Sequence, residues 1–313
     1  MTSDVISPAR PLETAVLFLV FNRPDTTTQV FDAIRRARPP RLYVAADGPR
    51  ADRAGEVELV ERVRKIATAV DWHCDVKTLF RDQNLGCKLA VSAAITWFFE
   101  NEEEGIILED DCLPNDSFFE FCQILLERYR DDSRVGLIAG TNFSNSKSQL
   151  VETYLFSRLI QIWGWATWRR AWKKYDLHMK KWPIFKSKKL MSNLGINQKI
   201  CEYLTNNFDK AYKNDIDTWD YQWSYAAISE SLLTVVPSIN MVSNIGFGMN
   251  ATHTKSDSGR SVDLTTEKLE FPIVHPEFVI PDPFYDLNKI RHNFLINRIT
   301  ERICALFSFK FNP

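Results

Sequence analysis

Three acids follow an apolar run in Ile106-Ile107-Leu108-Glu109-Asp110-Asp111. Carboxylates are costly to bury without a counter-charge, so acids at the edge of a buried strand call for something that offsets them. A divalent cation does so, because hard cations prefer oxygen ligands. A cation held there also neutralises a diphosphate and helps it leave. Residues two apart on an extended strand share a face, so Glu109 and Asp111 can converge. The plainer reading is a solvated strand-to-helix turn whose acids cap the next helix, although Asn115 and Asp116 already suit that role.

Other candidates carry a chemical and a structural reading side by side. Asp47, in Asp47-Gly48-Pro49, can hold a nucleoside base or ribose, or make an ordinary Asp-Gly turn. Arg81, with Asn84 and Gly86, leads into a helix start whose guanidinium and backbone N–H groups suit an anion, or is a plain helix entry. Asp220, beside Trp219, is a general base if its aromatic neighbours desolvate it, or an acid complementing a helix dipole. His253 is a ligand or phosphate donor, or a solvent-facing loop side chain. The cluster Trp163-Gly164-Trp165-Ala166-Thr167-Trp168 suits sugar stacking or a core.

The elements that must position these residues alternate. Thr14–Phe21 reads as a strand buried on both faces, Pro24 opens a helix, and Pro39-Pro40 ends it. Strands at 41–46, 73–80, 105–108 and 135–139 alternate with amphipathic helices at 56–70, 86–99 and 118–129. This order predicts an α/β fold with a mostly parallel, doubly wound sheet. Ligands of such sheets bind beyond the carboxyl ends of the strands, which points at Asn22, Arg23, Asp47, Arg81 and the acids at 109–111. The second half is less regular: a Lys- and Asn-rich insertion at 180–214 containing a helix, a helix at 218–233, one or two strands at 234–243, a loop at 244–254 and a Pro-rich stretch at 263–283 that wraps the surface.

Taken together, these residues resemble the GT-A glycosyltransferases, and more narrowly the inverting N-acetylglucosaminyltransferase I-like group. Glu109-Asp110-Asp111 resembles that group's form of the DxD motif, followed by a similar helix start at Pro114-Asn115-Asp116-Ser117-Phe118-Phe119-Glu120-Phe121. The resemblance implies a UDP-sugar donor, Mn²⁺ or Mg²⁺ on Asp111, the donor ribose on Asp110, and a donor-side role for Glu109. It implies uracil recognition by Asp47, a nucleotide-side role for Arg81, and an acceptor-side role for Trp163, Gly164 and Trp165. Trp219-Asp220 is similar to the family's Trp-Asp pair, whose Asp is the catalytic base; Asp215 and Asp217 are nearby rivals. His253 falls on the family's Ser-His position in a loop that orders over the donor. On this reading 1–115 is the nucleotide-sugar half, 116–283 the acceptor half, and 284–313 a basic amphipathic tail.

Composition narrows the partners. The chain has 313 residues, 25% of them charged, and a net charge of −1, so nucleic-acid binding is not expected. Its six cysteines have no zinc spacing and read as free thiols. No apolar run is long enough to span a bilayer, which gives the expectation of a cytoplasmic protein. Residues 288–311 interleave Arg and Lys with Phe, Leu and Ile; such a helix lies on the inner face of an anionic membrane beside a lipid-linked glycan acceptor, or docks on the domain or on a second subunit. A sugar-phosphate nucleotidyltransferase is the nearest rival, but Phe21-Asn22-Arg23-Pro24-Asp25 lacks the glycine-rich phosphate loop expected of one. A non-catalytic carbohydrate-binding protein would explain the tryptophans and leave the acids unexplained.

Overall fold

A computed structural model describes residues 11–143, 151–196, 198–246 and 264–287. The strands are β1 (Val16–Val20), β2 (Arg41–Ala46), β3 (Asp75–Phe80), β4 (Glu104–Glu109), β5 (Cys112–Pro114), β6 (Val135–Ala139), β7 (Tyr154–Ser157), β8 (Trp165–Trp168), β9 (Leu233–Pro237) and β10 (Val242–Asn244). The helices are α1 (Pro24–Ala37), α2 (Glu56–Ala67), α3 (Gly86–Asn101), α4 (Ser117–Arg128), α5 (Arg169–Trp172), α6 (Trp182–Ser187), α7 (Gln198–Lys213) and α8 (Asp220–Ser229).

Eight strands form one sheet in the order β3-β2-β1-β4-β8-β6-β9-β7. The β3-β2-β1-β4 half is all parallel, which gives the Rossmann-like organisation the alternation predicts. β1 reads as an unbroken apolar run because both its faces are covered. Val16, Phe18 and Val20 join a core with α1, α2 and α4, while Ala15, Leu17 and Leu19 join a second core with α3, α5 and α8. The first half matches the sequence expectation to within a few residues at each end.

The second half differs from it. The Trp163–Trp168 segment carries β8, which runs antiparallel between β4 and β6, so these two strands are not neighbours. An alternating strand-helix pattern cannot reveal such an insertion, because β8 has no crossover helix of its own and its sequence is aromatic rather than β-branched. The 180–214 insertion forms α6, a 3₁₀ turn at Leu190–Leu194 and α7, with a small core of its own built on Met179, Trp182, Ile200, Leu204 and Phe208 against Tyr225 and Ile228 of α8. The chain from 264 follows the β7–β9 edge: Thr153 donates its N–H to the Val274 carbonyl (2.8 Å), and the buried Asp286 accepts from the Ser157 hydroxyl and the Arg158 N–H.

Candidate functional site

The carboxyl ends of β1, β2, β3 and β4 open into one cleft of about 670 Å³. Its wall holds Arg23, Asp47, Arg81, Glu109, Asp110, Asp111, Trp163, Trp219 and Asp220. Most of the residues picked out in the sequence are therefore brought together. They come from segments more than a hundred residues apart, gathered by the parallel half of the sheet and by α8.

The acidic triplet is held by an arginine. β1 ends at Val20, and Arg23 stands at the entrance to α1, from which its guanidinium reaches Asp110 Oδ1 at 2.5 Å and Asp111 Oδ2 at 2.9 Å. Asp110 also accepts the Phe21 N–H (3.2 Å) and is 3% exposed, so it is a buried member of an ion pair. Burial works against the Arg23 cation, but the charges of Asp110 and Asp111 hold its pKa above the ordinary arginine value. Glu109 has no such partner: its side chain makes no hydrogen bond among the described residues. Burial, with repulsion from Asp111 and Asp110, pushes its carboxyl up to about 8. Burial raises Asp110 as well, against the pull of Arg23. One guanidinium for three carboxyl groups leaves the triplet short of positive charge.

Asp111 is further enclosed by β10, which pairs antiparallel with β5. The Ile245 N–H bonds to the Asp111 carbonyl at 2.8 Å, and Gly246 lies directly over the Arg23–Asp111 pair. A Cβ at Gly246 would stand 2.3 Å from Asp111 Oδ2 and 2.7 Å from Arg23 Nη1, so only glycine fits there without moving the pair. Among the described residues, no group of three or more His, Cys, Asp or Glu side chains is placed to hold a metal ion.

The start of α3 is the clearest departure from the sequence reading. Its N–H groups are not free for an anion. Asp47 accepts from the N–H groups of Gly48, Leu85 and Gly86 and from the Asn84 amide, at 2.9–3.1 Å. A carboxylate offers about four lone-pair positions, so this one is filled by its own chain and has none left for a uracil N–H in this arrangement. Asp217 takes the next two donors, the N–H groups of Cys87 (2.9 Å) and Lys88 (3.0 Å). Two carboxylates thus satisfy the orphan donors of the helix and complement its dipole. Gly86 makes the turn between them with φ +81°, and a Cβ there would lie 2.5 Å from Asp217 Oδ2. Arg81 lines the cleft, and its guanidinium forms no ion pair among the described residues.

The three rival acids separate by their surroundings. Asp215 is exposed and lies outside the cleft wall, and Asp217 is engaged as the cap of α3. Asp220, the first residue of α8, faces the cleft, accepts from the Thr218 hydroxyl, and has its pKa raised by desolvation. Trp219 sets its place. Its indole is 2% exposed, stacks on Trp165 (centroids 5.8 Å apart, planes at 17°), and belongs to a cluster with Trp172 and Trp223.

Several candidates move to supporting roles. Trp165 is fully buried, so its ring is core and offers no face to a sugar. Gly164 lies behind the cleft, where φ +61° and the closeness of Val242 require glycine. Trp163 is half-buried, lines the cleft, and packs edge-on to Phe143 at 4.9 Å. Asn22 is not part of the cleft wall and donates to Glu56 at 2.8 Å. His253 and the 288–311 tail lie outside the described residues.

Arg50, Glu56 and Cys87 were not singled out in the sequence. Arg50 lines the cleft over the Phe21 ring (5.4 Å), held by the buried Glu56, which also accepts the Arg50 N–H at 2.6 Å. The available signal was an acid at the first position of α2, six residues after an arginine in the preceding turn. Cys87 also lines the cleft. Burial, with the charges of Glu109 and Asp220, pushes its thiol well above the usual range, so it stays protonated and is a poor nucleophile. The five described cysteines are free, and no described helix is long and apolar enough to cross a membrane.

No family model matches the chain, and no curated protein matches it. Among solved structures it is similar to HddC from Yersinia pseudotuberculosis (12% identity, TM-score 0.27, 40% of this chain and 56% of that one). It thus spans about half the length of that protein. It is also similar to UDP-glucose pyrophosphorylase complexed with UDP-glucose (8%, 0.39, 75% and 94%) and to the apo-form glycosyltransferase GlyE of Streptococcus pneumoniae TIGR4 (11%, 0.34, 71% and 44%). Likenesses of this strength say nothing about activity.

Proposed function

We propose that the chain is a metal-dependent glycosyltransferase that moves a sugar, such as N-acetylglucosamine, from a UDP-sugar to an acceptor hydroxyl with inversion. The observation that carries this reading is a single cleft with two kinds of acid. On the strand side is a triplet short of positive charge, and on the α8 side a lone, desolvated Asp220.

The donor set suits a hard cation. Asp111 is half-buried and lines the cleft, and carboxylate oxygen is the ligand Mn²⁺ or Mg²⁺ prefers. With no trio of protein ligands among the described residues, the remaining positions would fall to donor phosphate oxygens and water. Such an ion, when bound, supplies charge stabilisation for the departing diphosphate. The chain's own groups do the rest. Arg23 keeps Asp110 and Asp111 in place, and Arg81 brings a second cation to the nucleotide side. Asp220 takes the proton from the acceptor hydroxyl as it attacks the anomeric carbon, while the bond to the UDP oxygen breaks and its electrons leave with UDP. Stabilising that leaving charge is the larger contribution to rate. Trp163 is the one cleft-facing member of the acceptor-side tryptophan segment, and we assign it the acceptor glycan.

The test is UDP release from a panel of UDP-sugars with Mn²⁺, with and without chelator. Release that vanishes with chelator is the expected result; release that persists at the same rate refutes the metal-dependent reading.

A further inference from the structure

The chain is nearly neutral overall, yet residues 173–199 hold eight lysines and one acid, Asp176. This concentration sits on the lobe formed by α6, the 3₁₀ turn and the start of α7. Trp182 anchors the lobe: it is 1% exposed, hydrogen-bonds Asp209 at 2.9 Å and packs edge-on against Tyr225 of α8. Phe185 stacks beside it at 6.1 Å and is half-buried. With these two rings turned inward, the opposite side of the helix faces solvent.

That outer side has a definite pattern. The Phe185 N–H bonds to the Lys181 carbonyl and the Lys188 N–H to the Ile184 carbonyl, so the helical path runs from 181 to 188. Lys181, Ile184 and Lys188 then fall at i, i+3 and i+7, on one face. Lys180 comes immediately before this helical path. Ile184 is 57% exposed, an unusual place for a large apolar side chain among lysines. Lys180, Lys181, Lys188 and Lys189 are all exposed and form no ion pair among the described residues. Lys174 and Lys186, by contrast, are paired with Glu230 and Asp209.

We infer that this face docks on an anionic phospholipid bilayer. Its apolar tip would enter between headgroups while the surrounding lysines meet lipid phosphates, the arrangement by which interfacial helices bind. Charge complementarity selects the occupant: the four unpaired ammonium groups have no acids of their own to satisfy, and the isoleucine between them suits a lipid interface better than a soluble polyanion. The lobe packs on α8, with the Tyr203 and Tyr221 hydroxyls 3.0 Å apart, next to the turn that carries Asp220.

The experiment is cosedimentation of the whole 313-residue chain with vesicles, so that residues 288–313 are present throughout. The protein should bind vesicles of phosphatidylcholine containing about one-third phosphatidylglycerol, and not pure phosphatidylcholine. It should come off in about 1 M salt, where the screening length falls to about 3 Å. Changing Lys180→Glu, Lys181→Glu and Lys188→Glu together should weaken binding at least about tenfold, and Ile184→Ser should weaken it further. A Lys→Gln triple variant at the same positions serves as a milder second form, with circular dichroism to verify folding. Equal binding of the native protein and a folded triple variant overturns the inference, because the contact then lies elsewhere. So does binding to neither vesicle, or a preference for heparin over the anionic vesicles.

Discussion

The Arg23 guanidinium stands 2.9 Å from the Asp111 carboxylate, the group that the proposed cation requires. On the proposed reading, arginine and cation would be neighbours on one carboxylate and would share the task of offsetting the triplet. Replacing Arg23 by Ala leaves Asp110 buried without its partner, which should cost about 3 kcal/mol in urea denaturation. Added Mn²⁺ should restore part of that loss, and more of it than it adds to the native protein. Asp111→Ala should weaken Mn²⁺-dependent uptake of UDP-sugar by at least about tenfold, or 1.4 kcal/mol, in calorimetry. Unchanged uptake would remove Asp111 from the metal site.

Asp220→Asn should lose turnover by about 10²–10⁴-fold while donor affinity stays near that of the native protein. The base must be ionised to work, and desolvation raises its pKa. The rate should therefore fall as pH drops through a limb lying above the ordinary carboxylate range. A pH–rate profile of native enzyme with no acid limb above that range would exclude Asp220 as the base.

Asp217→Ala should do the reverse. It removes the acceptor for the Cys87 and Lys88 N–H groups, so it should cost about 1 kcal/mol of stability, a usual figure for a lost helix cap. Turnover per folded molecule should change little. Comparing the two variants by thermal melts and UDP release separates structural acid from catalytic acid within one turn of chain.

Metal-free protein should lose stability as pH rises from the ordinary carboxylate range to about 8. Over that window the native Glu109 keeps a proton that the unfolded chain has already released, so the native state binds more protons and the slope of stability against pH is negative. Mn²⁺ with UDP should flatten the slope by supplying positive charge to the ionised triplet. Melting temperatures measured across pH with chelator, then with Mn²⁺ and UDP, test both signs.

The sequence by itself determined the parallel half of the sheet and the place of the acids. β1, β2 and β4 hold apolar runs separated by helices, the pattern a strand buried on both faces leaves in a sequence, while β3 at the sheet edge is partly exposed. The rule that ligands bind beyond the carboxyl ends of such strands then placed Arg23, Arg81 and Glu109–Asp111 on one cleft. Residue type and local spacing sufficed because both facts depend on neighbours along the chain.

Only the tertiary structure decided which acids are engaged by the chain and which one faces the cleft. Asp47, Asp217 and Asp220 look alike in sequence, but contacts over long separations set them apart. Asp217 spends its carboxylate on α3, some 130 residues away in the chain, and Asp47 spends its own on the same helix start. Asp220 keeps its place facing the cleft because Trp219 is locked against Trp165 of β8, a strand no local pattern announced. A carboxylate's chemistry is set by the donors and water around it, and here those donors are brought by the fold rather than by adjacent residues.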